Sequence, residues 1–292
     1  MLIRSTLFSR LKYMSQETMS TTTDLAEVQE QIATGKRLNR MSQEPWSVAQ
    51  IHQFRESIEV QENYQKASKM AIGLLSQGES ALDMIMNAVN RAREISVQAS
   101  NDVLGSQDLE AIMEEVSNLK ERTRALANSD FNGRYIFSGN AYDTPPYDAT
   151  YAYQGTTDAV SIAVSDNATV DVNFDGSDIF QGSTDLFVAF DDLVTGLQTD
   201  DDTLIQTAID QFDDAFDHMN KARTRMGTEM NIAMDMDEIA ETLESNLKDR
   251  LSSIEDADMP EALTRFSLMQ TQYQVNLQLT AKMRTMSLFE RM

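Results

Sequence analysis

LFSRLKYMSQETMSTTTDLAEVQEQI, from Leu7 to Ile32, carries the clearest helical pattern in this chain. Apolar and small residues in it are separated by alternating steps of four and three, which places them in one line along one side of a helix. Such a line is typical of a helix that packs against another helix. The members of this first stripe are Leu7, Leu11, Met14, Thr18, Thr21, Leu25, Val28 and Ile32.

A second stripe with nearly the same spacing lies at the far end of the chain, and several of its positions are polar. Each stripe needs a helical partner and neither has one nearby in sequence, so we expect the two ends of the chain to pair. The spacing fits two roles, of which it favours the first: the core of a bundle within one molecule, or a surface completed by neighbouring subunits. The members of the second stripe are Leu263, Phe266, Gln270, Tyr273, Leu277, Thr280, Arg284 and Leu288.

The composition describes a chain that can bury a core. It has 292 residues, of which 41% are hydrophobic, so a disordered acidic chain is excluded. There is no cysteine, which excludes disulfides, thiolate catalysis and cysteine-bound metals. No apolar run approaches the length of a membrane span. The first residues also lack the apolar segment of a cleaved secretory signal, so we expect any export to use another route.

The net charge of −23 is unevenly distributed. Between Tyr135 and Asn220 there are 17 aspartates and no lysine, arginine or glutamate. Such a segment repels nucleic acid and anionic membranes, so we expect neither as a partner. A solvated outer surface that keeps an assembly soluble is the favoured interpretation, and a cation-binding surface is the alternative.

The order of predicted elements is three helices, a small β-rich insertion, and further helices. Gly35 suits a helix end and Pro45 a helix beginning, while alternating apolar residues near positions 160–164 and 170–174 predict two strands joined at Asn167. The predicted fold is therefore mainly α with a small β-rich insertion, in which the N- and C-terminal segments form a long antiparallel helical bundle or coiled coil. The predicted segments are 1–40 (N-terminal assembly helix), 41–134 (first part of a helical rod), 135–190 (acidic β-rich outer domain), 191–257 (second part of the rod) and 258–292 (C-terminal assembly helix).

Motifs for catalysis or metal binding are weak throughout the sequence. The run Asp171–Asp178 imitates the start of a calcium loop, but its twelfth position is Gly182 where a glutamate is required. A strand ending in an Asp-Gly turn explains the run better. His52 and His218 have no second ligand at helical spacing. The sequence therefore predicts no enzyme, no cofactor and no metal.

Several motifs resemble those of the bacterial flagellin family. QIATGKRLNRMSQEP at Gln31–Pro45 and ISVQASND at Ile95–Asp102 are similar to the ends of that family's first two helices. NSDFNGRYIFSGN, followed by TPPY at Thr144–Tyr147, is most similar to the hook-associated members of the family. The C-terminal half agrees through RTRMGTEMN at Arg223–Asn231 and DMPEALTRFSLMQTQYQ at Asp258–Gln274. The chain departs from the family at MSQEP, before the second helix, and in its last residues, LFERM.

The resemblance implies a non-enzymatic structural adaptor between the hook side of a flagellum and its filament. It implies export in an unfolded state, ordering on assembly, and four partners: the first hook-associated protein, flagellin, an export chaperone that binds the C-terminal helix, and further copies in a ring. The family motif residues are Gly35, Lys36, Arg37, Pro45, Asn132 and Gly133. The expected assembly contacts are Leu7, Leu11, Met14, Leu25, Val28, Ile32, Phe266, Tyr273, Leu277 and Leu288.

Two other functions remain open at this point. A short flagellin, which is a filament subunit, would carry the same terminal helices. A secreted acidic module on a helical stalk, binding calcium or acting as an enzyme, is the alternative from another class.

Overall fold

The computed structural model describes residues 2–38, 44–101 and 106–289, and within the terminal helices it leaves the side chains of residues 2–8, 10, 11 and 283–289 undescribed. The described chain is mainly helical, and the predicted fold class is confirmed. Its helices, in chain order, are α1 (Leu2–Thr34), α2 (Pro45–Asn101), α3 (Ser106–Ala127), α4 (Gly176–Phe180), α5 (Leu186–Thr199), α6 (Asp202–Glu255) and α7 (Met259–Phe289).

The insertion contributes two small antiparallel pairs of strands. The first joins β1 (Asp130–Phe131) to β2 (Arg134–Tyr135), and the second joins β3 (Val160–Ala163) to β4 (Thr169–Asn173). The second pair is the predicted hairpin, closed by a hydrogen bond from Val164 N to Ala168 O at 3.0 Å.

Aspartates begin several of the described helices, because a carboxylate accepts hydrogen bonds from the free amides of a first helical turn. Asp185 accepts from Phe187 N at 2.8 Å and begins α5, and Asp201 accepts from Thr203 N at 2.9 Å and begins α6. Asp175 accepts from Ser177 N at 2.8 Å and begins α4. The strand predicted within Asp171–Asp178 is correct, because β4 extends to Asn173. The predicted Asp-Gly turn is wrong, because Asp175 and Gly176 begin the short helix α4.

The chain divides into two compact units. The first consists of Met1–Glu59 together with Glu244–Met292, and the second is Val60–Leu243. The first unit thus combines both ends of the sequence, as the two terminal stripes predict.

The second unit holds the larger hydrophobic core. Aliphatic side chains of α2 such as Leu82 and Ile85 are buried in it, and Phe190 of α5 meets Phe212 of α6 edge to face at 5.1 Å between ring centroids. Arg93 pairs with Asp213 at 2.7 Å, and Lys69 lies 3.7 Å from Asp237. Positions rise along α2 as they fall along α6, so the two helices are antiparallel in this unit.

None of the helices within residues 2–38, 44–101 and 106–289 combines the length and the hydrophobicity that a membrane span requires.

Candidate assembly site at the chain ends

The first and last helices of the chain lie side by side in the first unit. Near the end of α1, Ala257 N donates to Gly35 O at 2.9 Å. Farther along, the side-chain amide of Asn276 lies 3.4 Å from the hydroxyl oxygen of Thr21. Positions in α7 rise as positions in α1 fall, so the helices are antiparallel. The predicted pairing of the two chain ends is confirmed.

The less exposed side of α1 follows the predicted stripe. Val28 and Thr21 are buried, and their stripe neighbours are half-buried. This side faces a partner, because Thr21 is hydrogen-bonded to α7. The half-buried members are Met14, Thr18, Leu25 and Ile32. Leu7 and Leu11, also predicted in this stripe, have side chains outside the described part of the chain.

The less exposed side of α7 differs by one position from half of the predicted stripe. Phe266, Tyr273 and Thr280 lie on it as predicted, but Leu263 and Leu277 are 52% and 45% exposed. The predicted line is wrong at these positions because α7 is apolar on more than one side, so spacing alone does not select the packed one. The side that is least exposed consists of Ala262, Phe266, Met269, Tyr273, Asn276 and Thr280. The side chain of Leu288 lies outside the described residues.

A second apolar line on α7 is open to solvent. Leu268 is 67% exposed, and Val275 and Leu279 follow it at steps of seven and four. By helical geometry these three lie about 120° around the helix from the side that packs on α1. Leucine and valine grouped in this way on one helix mark an interaction surface. Together with Leu263 and Leu277, they leave α7 with apolar contacts that α1 does not satisfy.

The family motif Gly35–Lys36–Arg37 forms the turn that leaves α1. Gly35 has φ +70° and its N–H donates to Gln31 O at 2.8 Å, which is the left-handed cap that glycine favours. Lys36 then pairs with Asp256 as an isolated β-bridge, in which Arg37 N donates to Glu255 O at 2.7 Å. The motif therefore joins the exit of α1 to the linker between α6 and α7.

Glu255 is the buried carboxylate of this junction. Its side chain is 6% exposed, and it accepts charge-assisted hydrogen bonds from Lys36 and from Arg55 of α2. A buried charge is tolerated when it is paired in this way. The pairing of Glu255 with Arg55 was not predicted, because the two residues are 200 positions apart and no local pattern connects them.

Arg37 and Glu44 border the start of α2. An Arg37 guanidinium nitrogen lies 2.9 Å from Glu44, which also accepts from the Ser47 hydroxyl at 2.7 Å. These two bonds, with Arg37 the stronger cause, lower the pKa of the exposed Glu44 carboxyl. Pro45 is the first residue of α2, as predicted, and the side chain of Trp46 is exposed.

The other family motif, Asn132–Gly133, lies in the second unit and forms the turn between β1 and β2. Both residues have positive φ, +54° and +79°, as a type I′ hairpin turn requires. Gly133 N donates to the Asp130 carboxylate at 2.9 Å. The hairpin brings the Phe131 ring so close to Gly73 that an added Cβ there would lie 2.8 Å from it. This motif shapes the fold of its own unit and is not part of the terminal helix pair.

The geometry defines a class of protein: a helical protein that pairs its two ends and leaves a further apolar surface on its last helix. The bacterial flagellin N-terminal helical region matches residues 5–142, and the bacterial flagellin C-terminal helical region matches residues 209–290. The chain belongs to the flagellin family of bacterial flagellar proteins.

Relatives within this family include flagellar hook-associated protein 3 of Salmonella typhimurium. It is 25% identical over 89% of this chain and 90% of its own length. The fold is similar to FlgL from Xanthomonas campestris, with a TM-score of 0.62 and 18% identity over 68% of this chain and 99% of that one. It is also similar to the flagellar junction protein FlgL from Legionella pneumophila, with a TM-score of 0.55 and 17% identity over 72% of this chain and 100% of that one.

Proposed function

We propose that this protein is a structural adaptor of the bacterial flagellum, which joins the hook side to the flagellin filament. The observation that carries the proposal is the terminal helix pair, whose last helix keeps a second apolar line exposed. The name of the hook-associated relative supports a role at the junction.

The exposed residues of α7 suit protein partners that present helices of their own. Leu268, Val275 and Leu279 would bury apolar area against such a helix, at roughly 25 cal/mol per Å² removed from water. We infer four partners for the terminal pair: the first hook-associated protein on the hook side, flagellin on the filament side, further copies of this chain in a ring, and an export chaperone that holds α7 before assembly.

The proposed location is extracellular, at the hook–filament junction, after a cytoplasmic stage before export. We infer that the chain passes through the export channel unfolded and that its ends become ordered on assembly. Thr18, Thr21 and Asn276 support this idea, because polar residues in the packed line weaken the pair when it is isolated. Assembly would supply the missing apolar contacts.

In this proposal, segments 1–40 and 258–292 carry out assembly. Segments 41–134 and 191–257 form a helical rod, and segment 135–190 forms an outer surface. The aspartates of the outer segment keep the assembly soluble. In this role the protein has no enzymatic activity, and its chemistry is helix packing.

A test uses isolated hooks that carry the first hook-associated protein. Purified protein added to them should form a layer of limited thickness, visible by electron microscopy, to which flagellin then adds. Growth of this protein into long filaments by itself would instead identify a flagellin. Failure to bind the hooks at all would contradict the junction role.

A further inference from the structure

A buried acid lies where the chain turns back toward its own beginning. Glu255 is the last residue of α6, and its carboxylate is removed from solvent by the exit of α1 and the first turns of α2. Lys36 and Arg55, which pair with it, are 41% and 48% exposed at their side chains. Only the acid is buried. The two cations that pair with it come from two separate segments of the chain.

Backbone hydrogen bonds lie beside this ionic cluster. Arg37 N donates to Glu255 O at 2.7 Å, and Ala257 N donates to Gly35 O at 2.9 Å. These bonds join the two linkers that carry the terminal helices. The side chain and the main chain of Glu255 therefore both stabilise this junction, which is the base of the α1–α7 pair.

Apolar burial along the pair is concentrated near this base. Among the described side chains of α1 and α7, the only buried apolar ones are Val28, seven residues before Gly35, and Ala262, five residues after Ala257. Farther from the base the packed line carries Thr21 and Asn276. The contacts that hold without a partner are thus next to Glu255, and the weaker ones are distant from it.

We propose that Glu255 is a positioning residue at which pairing of the terminal helices begins, so that α1 and α7 close from the Gly35–Ala257 base outward. The inference rests on the proposed function, because it describes how the same assembly surface forms. In the free protein the base stays closed, while the outer turns of the pair, residues 12–24 of α1 and 270–282 of α7, open. A partner protein then binds α1 and α7 as one paired surface, and its contacts with the outer turns complete the pairing.

Hydrogen exchange on the full-length monomer tests this order of closure. In the unchanged protein, peptides covering 33–38 and 255–258 should exchange more slowly than those covering 12–24 and 270–282.

Glu255→Gln keeps the side-chain shape and removes the charge. It should accelerate exchange at the two base peptides at least tenfold and leave the α2 peptide 71–95 unchanged. Glu241→Gln, which changes an exposed glutamate of the same helix, is the matched control and should change none of them.

Three results would overturn the proposal. They are base peptides that exchange as fast as the outer turns, a Glu255→Gln variant indistinguishable from Glu241→Gln, and equal acceleration in the α2 peptide, which would indicate general destabilisation.

If Glu255→Gln does not fold, Arg55→Gln tests the same link by removing one half-exposed cation. It should accelerate both base peptides at least threefold, and no acceleration would overturn the proposal. The experiment needs no partner, so a negative result leaves the hook–filament role standing, whereas failure to bind hooks with an intact base would contradict that role instead.

Discussion

Thr21 and Asn276, which are 255 positions apart in sequence, meet between the first and last helices. The Asn276 amide lies 3.4 Å from the Thr21 hydroxyl oxygen, and that hydroxyl donates to Glu17 O at 2.8 Å. A polar pair in a helix contact fixes register and lowers stability. This pair therefore makes α1 and α7 specific for each other without making them self-sufficient.

Replacing that polar pair should make the ends independent of assembly. We expect Thr21→Val with Asn276→Leu to stabilise the α1–α7 pair by about 1–2 kcal/mol, because apolar area replaces a weak hydrogen bond. Hydrogen exchange of residues 12–32 and 262–282 in the monomer measures the change. Thr22→Val is the control, since Thr22 is exposed and makes the same type of bond, to Thr18 O. Unchanged protection would show that the pair does not limit stability.

An acidic residue at the exposed position 277 of α7 should block assembly. Leu277 is half exposed in the monomer, so Leu277→Asp should leave the urea unfolding of the second unit unchanged. In an assembled junction the same carboxylate would be buried without a partner, which costs several kcal/mol. We expect loss of hook binding in electron micrographs. Gln278→Asp, at an exposed neighbour, should bind normally, and normal filaments on cells carrying Leu277→Asp would contradict this prediction.

Two glycine substitutions should have opposite effects on stability. A Cβ meets nothing within 4 Å at either Gly133 or Gly227, so only backbone conformation matters. Gly133 has φ +79°, and Gly133→Ala should lower the free energy of unfolding by about 1–2 kcal/mol. Gly227 lies within α6, and Gly227→Ala should raise it by about 1 kcal/mol. Urea unfolding measures both, and equal signs would contradict the assigned turn.

The buried Tyr147 and the half-buried Tyr151 should limit stability at high pH. Burial raises the pKa of Tyr147 far above its usual value, and burial with the hydrogen bond to Glu121 raises the pKa of Tyr151 to about 12. Unfolded tyrosine ionises near pH 10, so the unfolded state loses protons first and stability falls as pH rises above that value.

The Tyr147→Phe variant isolates one of these groups. It removes the hydrogen bond to Gly176 O, 2.8 Å long, and should cost about 1 kcal/mol at neutral pH. Above pH ~10 its stability should fall less steeply, by about 1.4 kcal/mol per pH unit. Urea unfolding across this range, followed by circular dichroism, measures the slope. Parallel curves for the two proteins would show that Tyr147 ionises normally.

Helix boundaries and the stripe of α1 were predictable because their causes are local. Gly35 caps α1 through a bond to Gln31, and Pro45 begins α2 with its fixed φ. The Asn132–Gly133 turn and the hairpin at Asn167 depend equally on a few neighbouring residues. A helical period also needs only one face to be apolar, as in α1.

The class of fold, the pairing of the two ends and the family can all be predicted from the sequence, because each follows from local backbone preferences or from residues in a recognisable order. The side of α7 that packs on α1 is known only from the folded structure, since several sides of α7 are apolar and the choice depends on the partner. Only the folded structure places Lys36 and Arg55 on Glu255, because attraction between charges depends on distance in space, and separation along the chain carries no record of that distance.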